Sequence, residues 1–275
     1  MPFATASLAR RIERAESTLI AEFGGAAARQ LGGDRVVIRE LGGGVAVAAG
    51  AGAPFSKVAG FGFDPVTDTD IELLERMYAE RATAVRVEVS SLSTTGICGM
   101  LTRRGYVLEG FENVLGIALP ADVPRATAIA VAQVDDSETP QWVDVLATAF
   151  AHPDTFDGPA LDEPVDRASL DAVFEQIATV TGFRRYIGRR HGEVAGAAGM
   201  RISDGVAQLC GAATLPSHRR RGVQTSLLQQ RLEDAAQTGC DIAVVTTQPG
   251  SVSQENVQRQ GFEMLYARAV LVRQV

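Results

Sequence analysis

The 275-residue sequence has only three cysteines and no long uninterrupted apolar segment. Because Cys98, Cys210 and Cys240 are odd in number and widely spaced, they predict neither a disulfide framework nor a metal site. No apolar run approaches the length that crosses a membrane, and the first residues lack the apolar core of a signal peptide. We therefore expect a cytoplasmic protein that lies in a reducing compartment, holds no metal and does not bind a membrane.

The chain also lacks the excess of positive charge that is typical of nucleic-acid-binding proteins. Its net charge is −7, which argues against a general nucleic-acid partner. The hydrophobic content of 46% is sufficient to form well-packed cores. A chain of this length is long for one domain and comfortable for two domains of roughly 100 to 150 residues each. Composition and length therefore predict a two-domain globular protein.

Against this acidic background, one short stretch is strongly basic. Arg219, Arg220 and Arg221 precede Gly222, between a predicted strand over 208–215 and a segment whose apolar residues recur at helical spacing. Free backbone N–H groups and the positive end of the helix dipole both favour an anion at such a helix start. Since glycine has no Cβ, a ligand can approach the backbone closely. The pattern predicts a phosphate-binding loop, and a solvated basic turn or a nucleic-acid contact are the alternative interpretations.

Two motifs of this second half resemble a known family. Arg219-x-x-Gly222-x-Gln224 resembles the acetyl-CoA pyrophosphate loop of the GNAT acyltransferases, usually Arg/Gln-x-x-Gly-x-Gly/Ala. The stretch 253–262 is similar to the family's later helix, which runs into a Gly-Phe pair beside the pantetheine arm of the cofactor. The resemblance covers 127–275 and implies transfer of an acetyl group from acetyl-CoA to an amine. It implies these cofactor-binding residues: Ala213, Thr214, Leu215, Arg219, Arg220, Arg221, Gly222, Val223, Gln224, Thr225, Ser226, Ser253 and Asn256.

The first half of the chain contains a faint copy of the same order of elements. A predicted strand, a helix, a Gly-aromatic pair and a second strand span 84–118 and mirror the stretch 242–272. Where the second copy has arginines, the first has Thr67, Asp68 and Asp70, whose carboxylates cap a helix well but repel a pyrophosphate. We therefore predict that the first copy does not bind CoA.

These observations predict an α/β protein of two tandem GNAT-like units. Each unit is expected to be a mixed, largely antiparallel sheet flanked by helices. We place a degenerate unit without a cofactor loop at 1–121 and a GNAT acetyltransferase domain at 126–275, because a proline-containing polar turn lies between them. The resemblance is also consistent with a homodimer.

The acceptor is predicted to be the amine of a small molecule or peptide. The loop 151–164 is dense in prolines and carboxylates and could attract a cationic amine. As the amine attacks, the thioester oxygen gains negative charge, and a backbone N–H group of the strand 211–215 is the expected stabiliser. Orienting the two reactants can lower the activation free energy by roughly 7 to 11 kcal/mol and so supplies much of the rate.

The acid and base of the reaction are harder to assign from the sequence. Val257 stands where the family often has a tyrosine that protonates the departing thiolate, and Gln224 stands where glycine or alanine is usual. His152, beside the expected acceptor loop, is the candidate base, and Ser251 is a candidate proton relay. Further chemically capable residues are His218, Glu193 and Cys210. The alternative interpretation is a CoA-binding regulatory or scaffold protein without turnover.

Overall fold

In a computed structural model, the chain is described at residues 3–50, 53, 55–94, 96–121, 129–153 and 166–274. Its contacts form two compact units, a first unit of residues 3–114 with 264–275 and a second unit of residues 115–263. Both are mixed α/β structures in which a sheet is flanked by helices, which confirms the predicted fold class. Within the described ranges, no helix is both long and apolar enough to cross a membrane.

The first unit is built on a sheet with the strand order β1-β2-β3-β4-β11. Its elements are α1 (Ala6–Leu31), β1 (Val37–Leu41), β2 (Gly44–Ala48), β3 (Val58–Ala59), α2 (Asp68–Ala79), β4 (Val85–Ser90), α3 (Ile97–Arg103), the beginning of β5 (Val107–Ala118) and β11 (Glu263–Arg273). β1, β2 and β3 are antiparallel, whereas β3 pairs in parallel with β4. The core of this unit includes Phe61, Tyr78 and Leu101, each fully buried.

The second unit has the strand order β6-β7-β8-β9-β10, with the end of β5 beside β10. Its further elements are β6 (Ile129–Val134), α4 (Thr139–Ala151), α5 (Arg167–Ala178), β7 (Arg184–Arg190), β8 (Glu193–Ser203), β9 (Val206–Thr214), α6 (Val223–Gln237), β10 (Ile242–Thr247) and α7 (Val252–Gln258). Neighbours from β6 to β9 are antiparallel, whereas β9 and β10 are parallel. Val223, Leu227, Leu228 and Leu232 form the apolar stripe of α6 and join the core.

The internal repeat is visible in the order of elements. β3-α2-β4-α3-β5 in the first part of the chain matches β9-α6-β10-α7-β11 in the second. The units nevertheless differ from the division drawn on the sequence at 121–126. Residues 264–275 belong to the first unit, because Arg268 to Arg273 of β11 pair antiparallel with β4. The local sequence pattern of a segment can predict that it forms a strand, but not which other strand it pairs with.

A cluster of buried charges lies in the first unit, on the side of its sheet that faces α1. We call this group the ion cluster: Glu13, Glu16, Lys57, Glu88, Glu112 and Arg268. The Nε atom of Arg268 donates to Oε1 of Glu13 at 2.7 Å, and both side chains are only 1% exposed. The hydroxyl of Tyr266 donates to the same oxygen at 2.7 Å, and Nζ of Lys57 donates to Oε1 of Glu88 at 2.9 Å.

Burial and neighbouring charges both shift the pKa values of groups in the ion cluster. Burial raises the pKa of Glu13, and the nearby Arg268 offsets only part of that rise. Burial and the carboxylate of Glu88 likewise raise the pKa of Glu112. Burial tends to lower the pKa of Lys57, but the carboxylates of Glu88 and Glu16 outweigh it, so the net shift is upward. The charges of the cluster therefore stabilise one another in a largely buried site.

Candidate active site

The sheet of the second unit opens between β9 and β10. The two strands pair only at their beginnings, where Val206, Ala207 and Gln208 face Ile242, Ala243 and Val244. Beyond these residues no further pair joins the two strands, both of which are described to their ends. β9 is buried up to Leu209 and only half-buried from Cys210 to Thr214. The separation of two parallel strands therefore leaves main-chain groups of β9 without a strand partner.

The opened edge of β9 presents a hydrogen-bond donor at Thr214. The N–H group of Leu215 donates to the carbonyl of Ala195 on β8 at 3.0 Å. Because successive N–H groups of a strand point to opposite sides, the N–H group of Thr214 points away from β8, into the opening. Of the three strand residues implied to contact the cofactor, Leu215 thus uses its donor within the sheet. Thr214 keeps its donor directed at the opening.

The loop that follows β9 leads into α6, whose first backbone N–H groups are not used as hydrogen-bond donors within the described part of the chain. Arg220 and Gly222 have positive φ angles of 57° and 80°, so the chain turns sharply into α6. α6 has no side-chain cap and no acidic residue in its first turn. Its first helical hydrogen bond runs from the Ser226 N–H group to the Gly222 carbonyl, and within the described residues the N–H groups of Val223, Gln224 and Thr225 make none. These donors and the helix dipole form an anion site.

Two of the three arginines are available at this anion site. Arg220 and Arg221 are exposed and make no hydrogen bond or ion pair among the described residues. Arg219 is half-buried, and its Nη2 donates to the main-chain carbonyl of His152 at the end of α4. The basic loop is therefore tied to α4 on one side and carries free charge on the other.

The corresponding helix start of the first unit is already occupied by its own side chains. The carboxylate of Asp70 accepts from the N–H group of Thr67 at 2.8 Å, and the hydroxyl of Thr67 accepts from the N–H group of Asp70 at 3.3 Å. This capping box uses the N–H group of Asp70, the third residue of α2, and the carboxylates of Asp68 and Asp70 would repel an anion. The contrast with α6 supports the prediction that the first unit does not bind CoA.

Gly196 on β8 sets how closely α6 approaches the sheet. A Cβ atom at this position would lie 2.7 Å from the Ala213 carbonyl oxygen and 2.7 Å from a methyl group of Val223. Both neighbours belong to the candidate site, because Ala213 precedes Thr214 and Val223 begins α6. The absence of a side chain at Gly196 therefore positions the helix start against the opened strand.

We expect Gly196→Ala to lower the free energy of unfolding by about 1–3 kcal/mol, because the new methyl group overpacks a site bounded by backbone. Chemical unfolding monitored by circular dichroism measures the change. Gly110→Ala is the matched control, since a Cβ there meets nothing within 4 Å. Equal stability of the two variants would contradict a close approach of α6 to β8.

The structure gives both candidate catalytic residues capping contacts. His152 is exposed at the end of α4, and its Nδ1 lies 2.9 Å from the Thr148 carbonyl oxygen. The side chain of Ser251 caps α7 by accepting from the Gln254 N–H group at 3.2 Å. Their catalytic roles stay predictions. Most of the predicted acceptor loop, residues 154–164, lies outside the described residues.

The remaining candidates are spread over the second unit. On α7, Ser253 is exposed and Asn256 is half-buried, whereas Val257 is buried in the core beside Phe262. Glu193 is exposed at the turn between β7 and β8, and Cys210 is half-buried on β9. The Nδ1 atom of His218 is buried and has no hydrogen-bond partner among the described residues. Within the same residues, no group of three or more His, Cys, Asp or Glu side chains could hold a metal ion.

Sequence reasoning missed three side chains near the opening. Thr247, which ends β10, is 5% exposed, and its hydroxyl has no partner among the described residues. Trp142 and Arg231 are buried and contact the main chain of β8. Arg231 could have been found, because it lies within the apolar stripe of α6, four residues after Leu227. Nothing in the local sequence distinguishes Trp142 and Thr247 from ordinary core residues.

Comparison with known proteins decides the family. The model of the acetyltransferase (GNAT) family matches residues 146–262, which include β7 to β10, the basic loop, α6 and α7. Residues 146–262 belong to the GNAT family. No curated protein matches the sequence of the chain.

Solved structures extend the GNAT fold to the whole chain. The chain is similar to a GCN5-related N-acetyltransferase from Kribbella flavida, with a TM-score of 0.59 at 19% identity over 90% of this chain and 93% of that one. A GCN5-related N-acetyltransferase from Sphaerobacter thermophilus matches with a TM-score of 0.56 at 14% identity over 94% and 91%. A tandem GNAT protein from the clavulanic acid biosynthesis pathway matches with a TM-score of 0.58 at 12% identity over 91% and 87%. The chain therefore has a tandem GNAT fold.

Proposed function

We propose that the second unit transfers an acetyl group from acetyl-CoA to the amine of a small molecule or peptide, by direct attack in a ternary complex. The observation that carries this proposal is the position of the opened β9 edge directly before an uncapped, basic helix start. An acyl-CoA needs both features, because its diphosphate requires an anion site and its thioester requires a donor close to the reacting carbon. Acetyl-CoA supplies an activated thioester.

The residues of the site fit this ligand. The N–H groups of Val223, Gln224 and Thr225, with Arg220 and Arg221, would hold the pyrophosphate. The N–H group of Thr214 would donate a hydrogen bond to the thioester oxygen and stabilise the negative charge that develops on it. The buried, unpartnered hydroxyl of Thr247 is a further donor at the end of β10. In the reaction the amine nitrogen bonds to the acyl carbon and the carbon–sulfur bond breaks. The amine loses one proton and the departing thiolate gains one, so CoA leaves as the neutral thiol.

Thermal unfolding with and without acetyl-CoA tests the site. A ligand at 100 times its Kd stabilises the native state by about 2.7 kcal/mol, so we expect a clear rise in Tm for the parent. The double variant Arg221→Glu, Gly222→Asp is expected to lose this rise. One carboxylate replaces a cation, and the other adds a charged side chain where the ligand would approach the backbone. Arg39→Glu makes the same arginine-to-glutamate exchange on the exposed face of β1 and is expected to keep the rise. Absence of a shift in the parent at millimolar ligand would contradict the proposal.

Thiol release then separates transfer from binding without turnover. The second candidate function, a CoA-binding regulatory protein, is favoured by the buried Val257 in place of a tyrosine and by the capping contacts of His152 and Ser251. Release of free CoA that depends on an added amine, measured with a thiol reagent across a panel of small amines and peptides, would exclude that candidate. Binding with no release for any amine would favour it.

A further inference from the structure

An extra residue bends β9 just before the proposed contact with the thioester. In the pairing of β8 with β9, Ala197 faces Ala213 and Gly199 faces Cys210, so the single residue Ala198 lies opposite both Gly211 and Ala212. Gly211 has a positive φ of 56°. One strand with two residues opposite one is a β-bulge, which increases the local twist and redirects the residues that follow. Ala213, Thr214 and Leu215 are those residues.

Two side chains from different helices hold β8 opposite this bulge. Nε1 of Trp142 on α4 donates to the Ala198 carbonyl at 2.9 Å, and Nη1 of Arg231 on α6 donates to the Gly199 carbonyl at 3.0 Å. The Nε atom of Arg231 also donates to the Leu227 carbonyl of its own helix at 3.0 Å. The residues opposite the bulge are therefore bound by α4 and by α6.

The surroundings fix the position of each donor. The indole of Trp142 is fully buried and packs edge-on against Phe174 and Phe183, with ring centroids 6.0 Å apart in each pair. Gly199 makes room for this packing, since a Cβ there would lie 2.3 Å from the ring of Phe183. The indole therefore has little freedom to leave the Ala198 carbonyl.

Burial of the Arg231 guanidinium is unfavourable in free energy. The side chain of Arg231 is 2% exposed, and among the described residues it pairs with main-chain carbonyls and with no carboxylate. Burial lowers its pKa to about 10, although Cys210 and Tyr186 oppose that shift. A buried guanidinium that is paired only with carbonyl groups is less favourable than a well-packed apolar side chain. Packing of the core alone does not account for an arginine here.

We propose that Arg231 and Trp142 are positioning residues that hold the β9 bulge in the geometry required for acyl transfer. They act through the main chain of Ala198 and Gly199, which fixes the path of β9 from Gly211 to Leu215. The N–H group of Thr214 is thereby aimed at the thioester oxygen rather than at a neighbouring strand. This inference rests on the proposed function, but the contacts that it describes can be tested without a substrate.

The substrate-independent test is amide hydrogen exchange of the whole chain. In Arg231→Met we expect the amide hydrogens of peptides covering residues 206–215 to exchange about 10-fold faster or more. The reason is that the bulge opens locally when the donor to the Gly199 carbonyl is lost. Trp142→Phe removes the other donor and should have the same effect. Arg231→Lys keeps a cationic donor and should recover part of the protection. Gln229→Met, a substitution on the half-buried side of α6, is the control and should leave these peptides unchanged.

The ligand test uses acetyl-CoA and CoA as probes on the same variants. We expect the Kd of CoA to change by less than about 3-fold in Arg231→Met, whereas kcat for an accepted amine falls about 10- to 100-fold at nearly constant KM, because misplacement of the donor affects the transition state. A purely structural role would lower kcat, ligand affinity and Tm together. Exchange in residues 206–215 that is identical in parent and variants would overturn the inference. If the parent binds neither probe, the proposed function fails, and the exchange result alone decides whether the two residues hold the bulge.

Discussion

Replacing Arg268 with methionine is expected to lower the free energy of unfolding by about 3–5 kcal/mol at neutral pH, because it leaves an uncompensated buried charge. Among the described residues, the carboxylate of Glu13, which is 1% exposed, would then keep only the hydroxyl of Tyr266 as a partner. Glu112 would lose the same cation, whose Nη1 lies 3.5 Å from its Oε2. Urea unfolding followed by circular dichroism measures the loss.

A double-mutant cycle distinguishes lost pairing from lost packing. Glu13→Gln combined with Arg268→Met removes the orphaned charge, so the double variant is expected to be more stable than Arg268→Met alone. If the two single substitutions add without coupling, the buried pair is not the source of the effect.

The destabilisation by Arg268→Met should shrink as the pH is lowered from neutral towards the pKa of an unfolded glutamate. Burial already raises the pKa of Glu13, and Arg268 is the main group that lowers it, so the substitution raises that pKa further. In the unfolded chain a glutamate titrates near 4.5. Between the unfolded pKa and the raised pKa of the folded variant, the folded variant binds a proton that the unfolded chain does not. The stability of the variant therefore falls as the pH rises and recovers as the pH falls. A pH-independent difference between parent and variant would contradict this account.

Thr225→Asp is expected to weaken acetyl-CoA binding about 30- to 100-fold, or about 2–3 kcal/mol, because it places a like charge beside the pyrophosphate. Position 225 is the third residue of α6, equivalent to Asp70 in the capping box of α2. The same carboxylate interacts favourably with the helix dipole, so the protein without ligand is expected to gain about 0.3–1 kcal/mol. The substitution should therefore raise the Tm of the free protein while it lowers ligand affinity.

Thr225→Asn is the matched control for this prediction, since it keeps the size of aspartate without its charge. We expect it to retain most of the affinity measured by isothermal titration calorimetry. Equal losses for both substitutions would show that the shape of the helix start, not its electrostatics, selects the ligand.

Local chemistry in the sequence predicted the features that depend on neighbouring residues. The glycine before α6, the capping box of α2 and the repeated order of elements all follow from residues close together in the chain. The pairing of β11 with β4 could not be predicted this way, because strand partners are chosen by contacts far apart in sequence. The bulge at Gly211 and Ala212 depends on the register between two strands, which no single strand specifies. Arg231 and Trp142 acquire their roles only from that register.

The ion cluster also determines how this protein responds to amine chemistry. Lys57 is the only lysine in the sequence, and its side chain is 15% exposed and paired with Glu88 and Glu16. The upward shift of its pKa keeps the ammonium protonated, so its nitrogen has no free electron pair for an acyl donor. The folded chain therefore offers almost no nucleophilic lysine of its own. An acetyl-lysine recovered from a reaction would therefore come from the acceptor.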